Sequence, residues 1–160
     1  MIVRAATPPD AVAMADLLNR IIHIGGTTAH EVSFTPAQID AHYISGQHLV
    51  CCHLALLDHV VLGFQSLERH ADLPADWADI GTFVDPDQQR LGIGGALFAA
   101  TAAAARAAGI AVINATIRAD NWPGLGYYAR RGFVDHTMDP DYALRDGRVV
   151  GRISKRFDLG

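Results

Sequence analysis

A chain of 160 residues, half of them hydrophobic and 19% charged, falls in the size range of one domain and can bury a core without disulfides or metal. Its net charge is only -4 and its arginines are scattered, which excludes the clustered basic face that nucleic acid requires. That composition also argues against a largely disordered chain and leaves a small soluble molecule as the expected partner.

Ile2 to Ala5 reads as an opening strand, and Thr7-Pro8-Pro9-Asp10 then supplies an N-cap, proline at the first helical position and early negative charge. Val12, Met14, Leu17, Leu18, Ile21 and Ile22 recur at helical spacing up to Gly25-Gly26, so this segment is a first helix. Thr35-Pro36 opens a second helix that carries Ile39, Tyr43 and Ile44 and stops near Gly46. Leu49 to Leu57 and Val60 to Leu67 are β-rich runs joined by Asp58-His59, which predicts an antiparallel hairpin. Cys51 and Cys52 are neighbours in the first of these runs, where their side chains would point to opposite faces, so they are read as reduced structural residues.

Ala78 to Val84 is the next strand, ending at Asp85-Pro86, and an Ala-rich helix runs from about Gly92 to Ala108. The uncharged stretch from Leu91 to Ala105 is short and mainly Ala and Gly, unlike a membrane span of ~20 strongly apolar residues. Ile110 to Ile117 reads as a buried strand, Pro123 to Arg131 as a short helix, and Phe133 onward as strand, with Asp146-Gly147 as the last hairpin turn. Hairpins followed by a strand, helix, strand crossover predict a mixed, mostly antiparallel α/β sheet with one central parallel pair. Residues 1 to 160 are read as one domain. No leader-like stretch follows Met1, and a reducing cytoplasmic setting is expected.

The most informative segment is Val84-Asp85-Pro86-Asp87-Gln88-Gln89-Arg90-Leu91-Gly92-Ile93-Gly94-Gly95-Ala96-Leu97. Glycines at a helix start let the backbone approach an anion, and the unpaired amides there point at it with the helix dipole behind them. A Walker-type loop would need Gly-Lys-Ser/Thr where the chain has Gly94-Gly95-Ala96, and a dinucleotide fingerprint would need glycine at Leu97. A plain helix cap would explain a lone glycine pair.

Two motifs carry the reading further. Gln89-Arg90-Leu91-Gly92-Ile93-Gly94, and the series Asn121, Tyr128, Gly132-Phe133, together resemble the cofactor loop and the closing motif of the GNAT superfamily of N-acetyltransferases. The likeness extends over nearly the whole chain, from Ile2 to Phe157, although only those two motifs are specific. Val84-Asp85-Pro86 and Asn121-Trp122-Pro123 look most similar to the phosphinothricin acetyltransferase group, which acylates small amino-acid-like amines. That group usually has His where this chain has Tyr128.

The resemblance implies a GNAT-like fold with helices on both faces of the sheet, and acetyl-CoA as cosubstrate. Its pyrophosphate would be held by Gln89, Arg90, Leu91, Gly92, Ile93, Gly94, Gly95 and Ala96, with Asn121 and Tyr128 also on the cofactor side. A free backbone N–H near Phe83 or Val84 would stabilise the developing oxyanion. Tyr128 would return a proton to the departing thiolate, with Tyr127 as the nearest competitor.

An alkyl ammonium must lose a proton before it attacks a thioester. Asp79 matches the position of a catalytic Glu in the group, and Glu68 is the reserve. His30 and Glu31, between the first two helices, would contact the acceptor. The eight histidines form no metal signature: His48 and His53 are five apart on a strand, and no pair has ligand spacing beside a carboxylate. No metal, nucleic acid or membrane partner is expected. The oligomeric state is undecided, and a homodimer is compatible with the sequence. A protein lysine or N-terminal acetyltransferase, or a non-catalytic CoA-binding module, are the alternatives.

Overall fold

The computed structural model of the chain describes residues 1 to 88 and 91 to 160. Seven strands form one sheet: β1 (Ile2–Ala5), β2 (Leu49–Leu57), β3 (Val60–Glu68), β4 (Trp77–Val84), β5 (Val112–Arg118), β6 (Val134–Asp139) and β7 (Arg152–Asp158). Their spatial order is β1-β2-β3-β4-β5-β7-β6. All pairs are antiparallel except β4 with β5, so the mixed sheet with one central parallel pair is present as expected.

The helices follow their punctuation. Thr7 opens a 3-10 turn over Pro8–Asp10 that leads into α1 (Ala11–Ile24), and Asp10 accepts from both the amide and the hydroxyl of Thr7. Thr35 accepts from the Gln38 amide at 3.1 Å and caps α2 (Pro36–Ile39). The predicted second helix does not stay α-helical: it passes into a π turn over Asp40–Ile44, which turns Tyr43 into the core. The β2–β3 hairpin turns on Asp58 and His59, both with positive φ (50° and 66°), as a two-residue type I′ connection requires.

Two further helices are α3 (Ile93–Ala107) and α4 (Trp122–Arg131). Asp146-Gly147 forms the tip of the β6–β7 connection, inside a small bridge between Ala143 and Val149. β7 then inserts between β5 and β6.

The sheet separates two cores. On one face Met14, Leu18, Ile39 and Tyr43 pack on Leu54, Phe64 and Phe83. On the other, Phe98, Ala102 and Ala105 of α3 and Tyr128 of α4 pack on Leu67, Ala78, Ile80 and Ile113. Alternate residues of a strand face opposite sides, so Asp79 and Phe83 face α1 and α2, whereas Ile80 and Thr82 face α3 and α4. No helix among the described residues is long and apolar enough to cross a membrane.

Candidate active site

β4 and β5 pair only through Trp77 with Val112, Ala78 with Ile113 and Asp79 with Asn114, and beyond Asp79 they part. The gap is a cleft of about 450 Å³ whose walls include Ser66, Glu68, Asp79, Thr82, Phe83, Val84, Asn121, Tyr127 and Tyr128. Hydrogen bonds alternate sides along a strand. The Asp85 amide donates to Leu62 O of β3 at 2.8 Å, so the Phe83 amide also faces β3 and the Val84 amide faces the gap.

At the mouth of the gap stands the N-terminus of α3. Gly92, its N-cap, has φ of +71°, a left-handed conformation that glycine adopts without strain. Of the loop residues predicted to hold pyrophosphate, Gly94 lines the cleft, Ile93 is buried beneath it against Leu97 and Ala55, and Leu91 is exposed. Gln89 and Arg90 lie outside the described residues. A Cβ on Gly94 would come within 2.5 Å of the Tyr127 ring, and one on Gly95 within 2.7 Å of the Arg131 guanidinium. Internal packing, besides any ligand, therefore keeps position 94 small.

The two tyrosines divide their work. Tyr127 donates to Gly94 O at 2.7 Å and accepts from Gln65 Nε2 at 3.1 Å, which fastens α4 to the start of α3. The Tyr128 hydroxyl meets Thr82 Oγ1 at 2.8 Å, and Thr82 accepts from Gln65 at 2.9 Å. Burial pushes both phenols up, Tyr128 far above the usual range, so Tyr128 keeps its proton.

Asn121 caps α4 by accepting from the Gly124 amide at 3.0 Å, and its Nδ2 donates to Thr27 O at 3.1 Å. Its side chain thus ties the loop after α1 to the start of α4. Gly124 makes room for that cap, because a Cβ there would overlap the Asn121 carboxamide. Arg118 is held by Asp120 through two bonds of 2.9 and 2.8 Å.

Asp79 lies on the opposite face from Tyr128, directly across the ladder from Glu68. Burial pushes its carboxyl up to about 6; the hydrogen bond from Asn114 Nδ2 (2.8 Å) acts the other way, and the charge of Glu68 adds to the rise. Glu68 lies 3.8 Å from His42 Nε2. His30 lines the cleft, hydrogen-bonds Tyr43 Oη at 2.7 Å and stacks on Phe83 with centroids 5.9 Å apart. Burial, and then the neighbouring His42, hold its imidazole below the usual range. Glu31 is not in the cleft: its carboxylate accepts from the Arg145 amide at 3.2 and 3.3 Å, on an open depression next door.

Sequence reading missed Gln65, Thr82, Asn114 and Tyr43 as site residues. A signal existed for two of them. Gln65 and Asn114 interrupt apolar strand runs, and a buried amide needs partners. The described residues contain no group of three His, Cys, Asp or Glu that could hold a metal.

A partly opened parallel strand pair, with a backbone amide facing the gap and a glycine helix start at its mouth, suits an extended ligand that carries an anionic group. The family model of the Acetyltransferase (GNAT) family matches residues 16 to 133, and the chain belongs to that family of enzymes. Among individual proteins, it is 33% identical over 84 residues to the mycothiol acetyltransferase of Actinosynnema mirum, a match covering 52% of this chain and 28% of that relative. The fold is shared with the phosphinothricin acetyltransferase of Sinorhizobium meliloti solved in complex with acetyl-CoA (18% identity, TM-score 0.88, 99% of this chain and 88% of that one). It is shared equally with the ribosomal-protein-alanine N-acetyltransferase of Brucella melitensis (17% identity, TM-score 0.87, 99% of both chains).

Proposed function

We propose that the protein transfers the acetyl group of acetyl-CoA to a primary amine of a small, amino-acid-like substrate by direct attack, both substrates being bound together. One observation carries this reading: the gap between β4 and β5 has Asp79 on one side, Tyr128 on the other and the Val84 amide between them. The donor fits the gap because an extended chain can enter beside an unpaired strand edge while the α3 N-terminus faces its phosphates.

Each residue then has a task. Asp79, ionised above about pH 6, takes the proton from the acceptor ammonium, directly or through a water. Glu68, with an acid side chain on the same face, is the alternative acceptor of that proton. The Val84 N–H points at the oxygen on which negative charge develops. Tyr128, still protonated, gives its proton to the departing sulfur, and Thr82 holds the hydroxyl in place.

The reading is tested by measuring thiol release from acetyl-CoA across amino acids, polyamines, aminoglycosides and peptides. Turnover with small amino-acid-like amines is the expected result. A second reading, acetylation of a peptide amine, is favoured by the open depression that shares His30 and His42 with the cleft and adds Phe34 and Arg145. Turnover confined to peptides would replace the first reading with the second.

A further inference from the structure

A buried carboxylate that must accept a proton has to be aimed as well as ionised. Among the described residues, Asp79 receives one side-chain hydrogen bond, from Asn114 Nδ2. An ionised carboxylate only accepts, so the amide that faces it must present its nitrogen. Asn114 Nδ2 spends its other proton on Thr116 Oγ1 at 3.1 Å, and a hydroxyl serves either end of an amide equally well. The orientation of Asn114 is therefore set by the carboxylate at its nitrogen and by the group that meets its oxygen. That oxygen meets His136 Nε2 at 3.0 Å.

His136 comes from the far edge of the sheet. β6 pairs with β7, and its register shifts between Asp135 and Thr137; such a bulge re-aims a side chain. Here the imidazole lies against Trp77, with ring centroids 5.6 Å apart, and its Nε2 reaches Asn114. Trp77 is covered in turn by the Arg156 guanidinium, 4.8 Å from the ring centroid.

We infer that His136 is a positioning residue for Asp79: its Nε2–H bonds the Asn114 carboxamide oxygen and so keeps the amide nitrogen against the Asp79 carboxylate. This rests on the reading of Asp79 as the base. Nε2 must carry a hydrogen for this, which both the Nε2–H tautomer and the imidazolium supply.

The other groups that act on Asp79 are Glu68 across the ladder, which raises its affinity for protons, and His70 and Arg152, which lower it. His42 enters through Glu68. None of them touches the Asn114 oxygen, so the effect of His136 is separable from theirs. Without His136 the amide oxygen loses its partner, and Asn114 holds the Asp79 carboxylate less firmly.

The test compares wild type with His136→Leu, His136→Gln, Asn114→Leu and Asp79→Asn. The Asp79 carboxyl is titrated by carbon-13 NMR on aspartate-labelled protein, its signal assigned by its loss in Asp79→Asn, and kcat/KM is followed against pH. His136 sits on an exposed edge strand, so folding survives its replacement even if Asn114→Leu does not fold.

His136→Leu should move the Asp79 titration and the acid limb of kcat/KM to higher pH together. Asn114→Leu should shift both further, by about 1 pH unit for the loss of a charge-assisted hydrogen bond. His136→Gln, which places an amide N–H near the same point, should restore the wild-type values. An unshifted Asp79 titration in His136→Leu, or a shift that His136→Gln fails to correct, overturns the inference. If the titration shifts as expected but Asp79→Asn keeps the wild-type acid limb, the positioning stands and the assignment of Asp79 as base falls.

Discussion

The Tyr127 hydroxyl donates to the carbonyl of Gly94 at 2.7 Å, and its ring occupies the space that a side chain at position 94 would need. α4 and the start of α3 are thereby one unit, so a change at the glycine loop is felt first as a packing defect.

Gly94→Val should therefore lose stability, by roughly 1–3 kcal/mol for an overpacked site, as well as affinity for acetyl-CoA. Gly94→Val combined with Tyr127→Ala should relieve the overlap without regaining wild-type stability, because the ring's packing and its two hydrogen bonds are lost, and should still bind acetyl-CoA poorly. Denaturant unfolding and calorimetry separate the two effects. Wild-type affinity in the folded double variant would remove the pyrophosphate from this loop.

Tyr128→Phe keeps the ring against Phe133, 5.0 Å between centroids, and removes only the hydroxyl bonded to Thr82. Acetyl-CoA affinity should persist while kcat falls by ~10-fold to 1000-fold, the usual worth of a positioned acid. Tyr127→Phe should instead weaken the α3–α4 fastening and raise KM for acetyl-CoA. The opposite pattern in steady-state kinetics would exchange the two roles.

With its carboxyl at about 6, Asp79 predicts that kcat/KM falls as pH drops through that value, since the protonated acid cannot accept. Asp79→Asn should lose most activity at neutral pH and recover part of it toward pH 10, where free amine comes from solution. Tyr128→Phe should show no such recovery. Profiles of the Asp79 variant and wild type that run parallel from pH 6 to 10 would transfer the role to Glu68.

The same residue costs stability. Its carboxyl is raised in the fold from 3.8 to about 6, so the native state holds the proton more tightly than the unfolded chain and stability declines as pH rises between those values. The full penalty, present above pH 6, is ~1–3 kcal/mol at about 1.4 kcal/mol per unit. Asp79→Asn should be more stable than wild type at pH 7.5 and no different at pH 3.5. Equal midpoints at both pH values in urea unfolding would show that the carboxylate is not strained by burial.

The fold was legible because its signals are local. Thr35-Pro36, Asp58-His59 and the apolar spacing of α1 each act within a few residues, and the structure keeps them. Of the candidate site residues, those read from family motifs, Gly94, Asn121 and Tyr128, line the cleft together with Asp79, Glu68 and His30. Thr82 meets Tyr128 across 46 positions, Asn114 meets Asp79 across 35, and Gln65 meets Tyr127 across 62. No periodicity records such pairings, which exist only once strand register has been fixed. The π turn that buries Tyr43 was equally invisible, because the underwinding of a single turn leaves the helical pattern of Ile39, Tyr43 and Ile44 intact.

The parallel ladder joining β4 to β5 is three residue pairs long, and its shortness bears on how the free enzyme moves. The strands are braced at their foot by the rings of Phe98, Phe133 and Phe157, with centroids 5.3 to 5.6 Å apart, while the upper part of the seam has no ladder at all. Such a seam opens more readily than the rest of the sheet. A molecule that fills it substitutes for the missing rungs and stabilises the fold in proportion to the logarithm of its concentration over its dissociation constant. Under the function proposed above, acetyl-CoA is a strut as well as a donor, and departure of the CoA formed at each turnover leaves the seam without that strut.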